Sequence, residues 1–149
     1  MEQYIGTKIV HGEHMTKGNA EKHLGHPVAS GEDNNANGYL VEYEGGYQSW
    51  SPRDAFENAY KKTNGMTFGF AIEAVKLGKK VCRKGWNGKG QYIELATHVS
   101  YMNPDNKMQN VNHDQMGNKA IAFVGTSGIQ LGWLASQADM LADDWQFAK

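Results

Sequence analysis

Lys80-Val-Cys-Arg-Lys-Gly-Trp-Asn-Gly-Lys-Gly90 and Trp133-Leu-Ala-Ser-Gln-Ala-Asp-Met-Leu-Ala-Asp-Asp-Trp145 decide how the chain reads. Each joins tryptophan to polar and glycine residues at an expected strand end. The first runs from a strand, Lys79–Arg83, into a turn, with a second strand at Gln91–Leu95; Asn87-Gly88 is by itself a hairpin signal. The second leaves a hairpin strand, enters a short helix through Ser136-Gln-Ala-Asp139, and returns as a strand at Trp145–Ala148. Ser136 and Asp139 have the spacing of a capping box. Tryptophan offers a flat apolar face for a base, glycine lets backbone N–H groups approach an anion, and Arg83, Lys84 and Lys89 add charge. Such a set suits a small, flat, anionic ligand better than a polymer.

Working outward, Thr67 caps a helix over Phe68–Leu77, with Phe68, Ala71, Ile72 and Val75 on one face and Gly78 as its stop. Ala120–Val124 and Ile129–Trp133 read as a hairpin across Gly125-Thr-Ser-Gly128. Met102–Asn118 reads as a polar, asparagine-rich loop. Toward the N-terminus, Tyr4–Val10 reads as a strand, and His11–Asn37 as turn-rich and without a period. Gly31–Gly38 reads as an exposed, mobile loop. Tyr39–Tyr43 and Tyr47–Trp50 form a hairpin around Gly45-Gly46. Ser51-Pro-Arg-Asp54 then starts a helix, capped by Ser51 and ended by Thr63-Asn-Gly65. The fold class is α+β, an antiparallel sheet with few short helices. Residues 1–65 form a ββα-like extension and 66–149 a second domain.

Composition limits the functions. The 149 residues are 40% hydrophobic and 21% charged, enough for a core. A formal net charge of −1 argues against binding DNA or RNA polymers. No stretch approaches the roughly 18 continuous apolar residues of a membrane span, and the N-terminus lacks a signal-peptide pattern. Cys82 is the single cysteine, which fits a reducing compartment. Its strand position favours an inert thiol.

Other constellations carry less. His11-x-x-His14 and His23-x-x-His26 lack the cysteine or acid that would complete a zinc set, so no metal is expected. No nucleophile elbow, P-loop or dinucleotide fingerprint is present, and His98 or His113 has no identifiable nucleophile partner. No catalytic residue and no cofactor are assigned. In the second segment the bland alternative is structural: Ser136 caps, Leu134, Met140 and Leu141 are core, and Asp139, Asp143 and Asp144 are solvated. A carboxylate repels phosphate, so if these acids bind a ligand they belong at its sugar or base.

With these motifs the chain resembles the Thoeris anti-defence type two family of phage proteins. The resemblance rests on Met66-Thr-Phe-Gly-Phe-Ala-Ile-Glu-Ala74, Gly78–Gly90 and Trp133–Trp145, in that order, and covers about residues 66–149. It implies a sponge rather than an enzyme. Such a protein holds glycocyclic ADP-ribose signals intact in the cytoplasm of the infected host and keeps them from the defence effector. Some members also take cyclic dinucleotides at a second site, and the family assembles as homo-oligomers, commonly tetramers. Carried over, the resemblance points to Trp86, Asn87 and Gly85 in the first segment and Trp133, Ser136, Asp139 and Met140 in the second. Trp86 or Trp133 would stack on adenine, and Asn87 and Asp139 would bond base edge or ribose. Arg83, Lys84 and Lys89 are the candidates for phosphate. The competing classes are a hydrolase of the same nucleotides and a protein-interaction module built on exposed tryptophans.

Overall fold

A computed structural model describes residues 1–86, 88–112 and 119–149. The chain folds as two compact units, Met1–Lys61 and Lys62–Lys149.

In the first unit, β1 (His11–Thr16), β2 (Asn37–Glu42) and β3 (Gln48–Pro52) form an antiparallel sheet in that order, with helices α1 (Lys17–Leu24) and α2 (Arg53–Ala59). The expected β2–β3 hairpin is present, and Gly45 and Gly46 take the positive φ its turn requires. Leu40, Val41 and Trp50 are buried, and Trp50 Nε1 donates to the Met15 carbonyl at 2.8 Å. Gly38 lies against this indole: a Cβ there would come within 2.4 Å of the ring, so the position admits only glycine.

Three readings of this unit need correction, and a fourth holds in part. Tyr4–Val10 is not a strand. The first strand starts at His11, where pairing with Glu42 begins, and Tyr4 and Ile5 stand exposed without a partner strand. His11–Asn37 is not merely turns, since it contains β1 and α1. Most β1 side chains are exposed, so no alternation marks it, and its order comes from the ladder to β2. Gly31–Gly38 is mostly exposed, as expected, but several of its carbonyls are bonded. Lys17 N–H donates to the Ala36 carbonyl, Gly18 N–H to that of Asn34, and the buried Lys17 Nζ to that of Glu32 at 2.8 Å. Finally, Ser51 ends in β3 rather than capping α2. Pro52 holds the N-cap position without a side-chain bond, and the helix stops at Tyr60, whose backbone is extended.

The second unit is built on a five-stranded antiparallel sheet. Its strands, in spatial order, are β10 (Trp145–Phe147), β4 (Val81–Arg83), β5 (Tyr92–Ala96), β8 (Ala120–Gly125) and β9 (Gly128–Leu131). Helix α3 (Phe68–Lys76) buries Ala71, Ala74 and Val75 against Val81, Ile93 and Trp145 of the sheet. Thr67 caps it as expected, accepting from the Phe70 N–H. Met66 and Trp145 exchange backbone bonds of 2.7 and 3.1 Å, which ties the start of the unit to its last strand.

Two readings change here too. The segment expected as a polar loop contains half of a hairpin, β6 (His98–Met102) with β7 (Met108–Asn112), paired from His98↔Asn112 to Met102↔Met108. Asn106 supplies the positive φ at its turn. The rest of the expected loop, 113–118 with His113, lies outside the described residues. Leu134, Met140 and Leu141 are not core: they are 92%, 47% and 85% exposed, because the short helix α4 (Gln137–Met140) is held by its cap and not by burial.

Trp145 is fully buried at the centre of this core. Trp145→Ala is expected to cost the second unit about 3–5 kcal/mol in denaturant unfolding, the range for emptying an aromatic site. Leu134→Ala should change it by less than about 0.5 kcal/mol, as at ordinary surface positions.

Candidate ligand-binding site

β10 pairs with β4 so that Trp145 stands opposite Arg83, which brings the two diagnostic segments side by side. Arg83 Nε donates to Asp144 Oδ1 at 2.8 Å, and Arg83 Nη1 to Asp139 Oδ1 at 3.0 Å. Both carboxylates also hold the turn after β4. Asp144 Oδ2 accepts the Gly85 N–H at 3.0 Å, and Asp139 Oδ1 accepts Trp86 Nε1 at 3.2 Å. Asp139 Oδ2 closes the capping box, accepting the Ser136 N–H and hydroxyl at 3.0 and 2.7 Å while Ser136 Oγ accepts the Asp139 N–H at 3.1 Å. The Asp139 carbonyl takes Trp145 Nε1 at 3.0 Å.

Above this polar network lies an aromatic cluster. Trp86 meets Trp145, Phe123 and Trp133 edge-on, with ring centroids 5.4, 5.6 and 6.2 Å apart. Trp133 meets Trp145 at 6.1 Å and a nearly perpendicular 83°. Edge-to-face contact is the favourable geometry for aromatic pairs. Trp133 is placed by its own N–H and that of Gly132, which both bond the Ile121 carbonyl; Gly132 has φ 82°. Trp145 is buried, whereas Trp86 and Trp133 are half-buried and keep part of each indole open.

The structure thus brings together Arg83, Gly85, Trp86, Trp133, Ser136 and Asp139. Lys84, Lys89 and Met140 are exposed on the same elements and make no side-chain bond or ion pair among the described residues. Asn87 lies outside the described residues. Arg83, expected at phosphate, is enclosed by two carboxylates. Asp144, read from sequence as sugar-binding or solvated, is instead its closest partner. Trp145, Phe68 and Phe123 complete the cluster and were read only as core or strand. Their sequence signals were the apolar stripe that begins at Phe68, the continuous apolar run Ala120–Val124 and the Trp145 return strand.

The electrostatics follow from the geometry. Partial burial pushes the Asp139 carboxyl up, but bonds from Ser136, Arg83 and Trp86 outweigh it and hold its pKa at about 2, against an ordinary 3.8. The Arg83 bond, with help from the Gly85 N–H, also holds Asp144 below the ordinary carboxylate value, although burial opposes it. Bonding to Asp144 and then to Asp139 raises Arg83. One guanidinium against two carboxylates leaves the cluster with an excess negative charge.

A carboxyl depressed in the folded state adds stability that is complete above its unfolded pKa and lost as pH falls through its folded pKa. The second unit is therefore expected to lose stability between about pH 4 and pH 2, as Asp139 and Asp144 take up protons. Asp139→Asn should be less stable at neutral pH and show a shallower decline with acid, read from unfolding midpoints across that range.

The Thoeris anti-defence 2-like domain model matches residues 66–148, leaving the first 65 residues outside it. A curated protein of Bacillus phage SP01, Thoeris anti-defence 2, is 35% identical over 83 residues, covering 54% of this chain and 91% of that protein. The matched region contains every element of the cluster, from α3 to β10. No helix among the described residues is long and apolar enough to cross a membrane. On the strength of the matched domain, the chain belongs to the Thoeris anti-defence 2-like family, whose role is phage anti-defence.

Proposed function

We propose that this protein binds cyclic nucleotide immune signals, glycocyclic ADP-ribose first among them, and sequesters them without breaking a bond. The observation that carries the reading is the pair of half-buried indoles, Trp86 and Trp133, set 6.2 Å apart, the first hydrogen-bonded to Asp139 and the second placed by its backbone bond to Ile121. A fixed aromatic face stacks a base without first having to be ordered, and preorganisation of this kind turns contacts into affinity. Asn87 and Asp139 take the base edge or ribose, with Ser136 and Met140 beside them. Lys84 and Lys89, exposed and with no side-chain bond or ion pair among the described residues, stand ready for phosphate. The mechanism is tight binding and slow release in the infected cell. Nanomolar affinity corresponds to about −12 kcal/mol. Cyclic dinucleotides are proposed as further ligands at a second site.

The protein works as a homo-oligomer in this reading, a tetramer. The edge strand β9 supports that assembly. All four of its residues are exposed, Ile129 and Leu131 among them, and it carries neither the charge nor the proline that commonly guards an edge. Titration calorimetry with a panel of glycocyclic ADP-ribose isomers tests the function. Trp86→Ala and Trp133→Ala should each weaken binding at least about tenfold, the lower end of a base–aromatic stack, while circular dichroism stays that of the parent. Undiminished binding in both variants would place the pocket elsewhere.

A further inference from the structure

Among the described residues, only the Arg83 side chain bonds both carboxylates of the frame. It bonds Oδ1 of two different carboxylates, and each carboxylate separately holds one part of the turn: Asp139 the Trp86 indole, Asp144 the Gly85 backbone. Arg83 and Trp86 share a single oxygen, Asp139 Oδ1, so the guanidinium fixes the acceptor on which the indole hangs. The Gly85 corner is equally close. A Cβ there would lie 3.1 Å from Asp144 Oδ2, so a side chain at Gly85 would press on the carboxylate that Arg83 holds. The surroundings also suit a phosphate poorly, because two carboxylates surround one cation and the net field opposes an anion.

We propose that Arg83 is a positioning residue of the site, not a phosphate ligand. By clamping Asp139 and Asp144 it sets the Trp86 ring and the Gly85 corner for the ligand, and phosphate falls to Lys84 and Lys89. As a statement about binding, this rests on the nucleotide reading; as a statement about Trp86, it does not. Lysine cannot replace arginine in this role. A compact ammonium on a flexible stem lacks the planar fork that reaches two carboxylates at fixed angles. At a phosphate contact, by contrast, lysine would keep the needed charge.

The test uses the full chain labelled with nitrogen-15, in Arg83→Lys and Asp144→Asn variants. The Trp86 indole N–H resonance is assigned by its loss in Trp86→Phe. In the free protein both variants should move that resonance, with melting still cooperative. Both should also weaken binding of the glycocyclic ADP-ribose isomer that the parent binds, by about tenfold, the value of one charge-assisted hydrogen bond. The sign of the Asp144→Asn effect is decisive. A direct phosphate contact at Arg83 would be freed from a competing carboxylate, so binding would tighten. Tighter binding, or an unmoved Trp86 resonance in both variants, overturns the proposal. If the parent binds no nucleotide in the panel, the nucleotide reading fails, and the indole shift alone still decides whether Arg83 positions Trp86. If Arg83→Lys fails to fold, Asp144→Asn carries both measurements, since it weakens one arm of the clamp and so lets the guanidinium, and with it Asp139 and the Trp86 indole, shift.

Discussion

The guanidinium of Arg83, held between Asp139 and Asp144, joins parts of the chain that lie 56 and 61 residues apart. An exposed ion pair contributes little, because water screens it and its side chains lose freedom. This one differs in being largely withdrawn from solvent and in having its carboxylate oxygens shared with Gly85, Trp86 and Ser136. Removing one member strands the others. The same atoms therefore serve the fold, by closing β10 and α4 onto the β4 turn, and the site, by fixing which way an indole faces.

Around that clamp, apolar and polar order reinforce each other. Trp145 fills the core beneath α3, while its indole N–H reaches up to the Asp139 carbonyl. Burial of one tryptophan thereby locates the helix whose Asp139 holds another. The result is graded exposure across three indoles: Trp145 is buried, and Trp86 and Trp133 rest edge-on against it with surface to offer. A stacking site needs that gradient, since a ring wholly buried cannot meet a base and a ring wholly exposed is not held still.

Elements with local signatures were legible in the sequence. The β2–β3 hairpin announced itself by Gly45-Gly46, α3 by Thr67 and its apolar stripe, and α4 by the Ser136/Asp139 box. Elements held by distant partners were not. β1 and α1 bury little beyond Ala20 and the Lys17 stem, so no period reveals them. Tyr4–Val10 has the composition of a strand but pairs with no strand among the described residues. Leu134 and Leu141 have core chemistry, yet the helix between them is too short to turn both inward. Residue types singled out two segments that the fold brings side by side, but the pairing of Arg83 with Asp144 depends on the register of β10 against β4, which local sequence does not encode.

The central claim is that the ligand is held and returned unchanged. The direct measurement is to load the purified protein with a glycocyclic ADP-ribose isomer, remove the excess, denature by heat, and identify the released nucleotide by mass and chromatographic retention. Sequestration predicts recovery of the same cyclic isomer, in amount matching the bound protein. Release of a linear product carrying one added water would contradict it and make the protein a hydrolase.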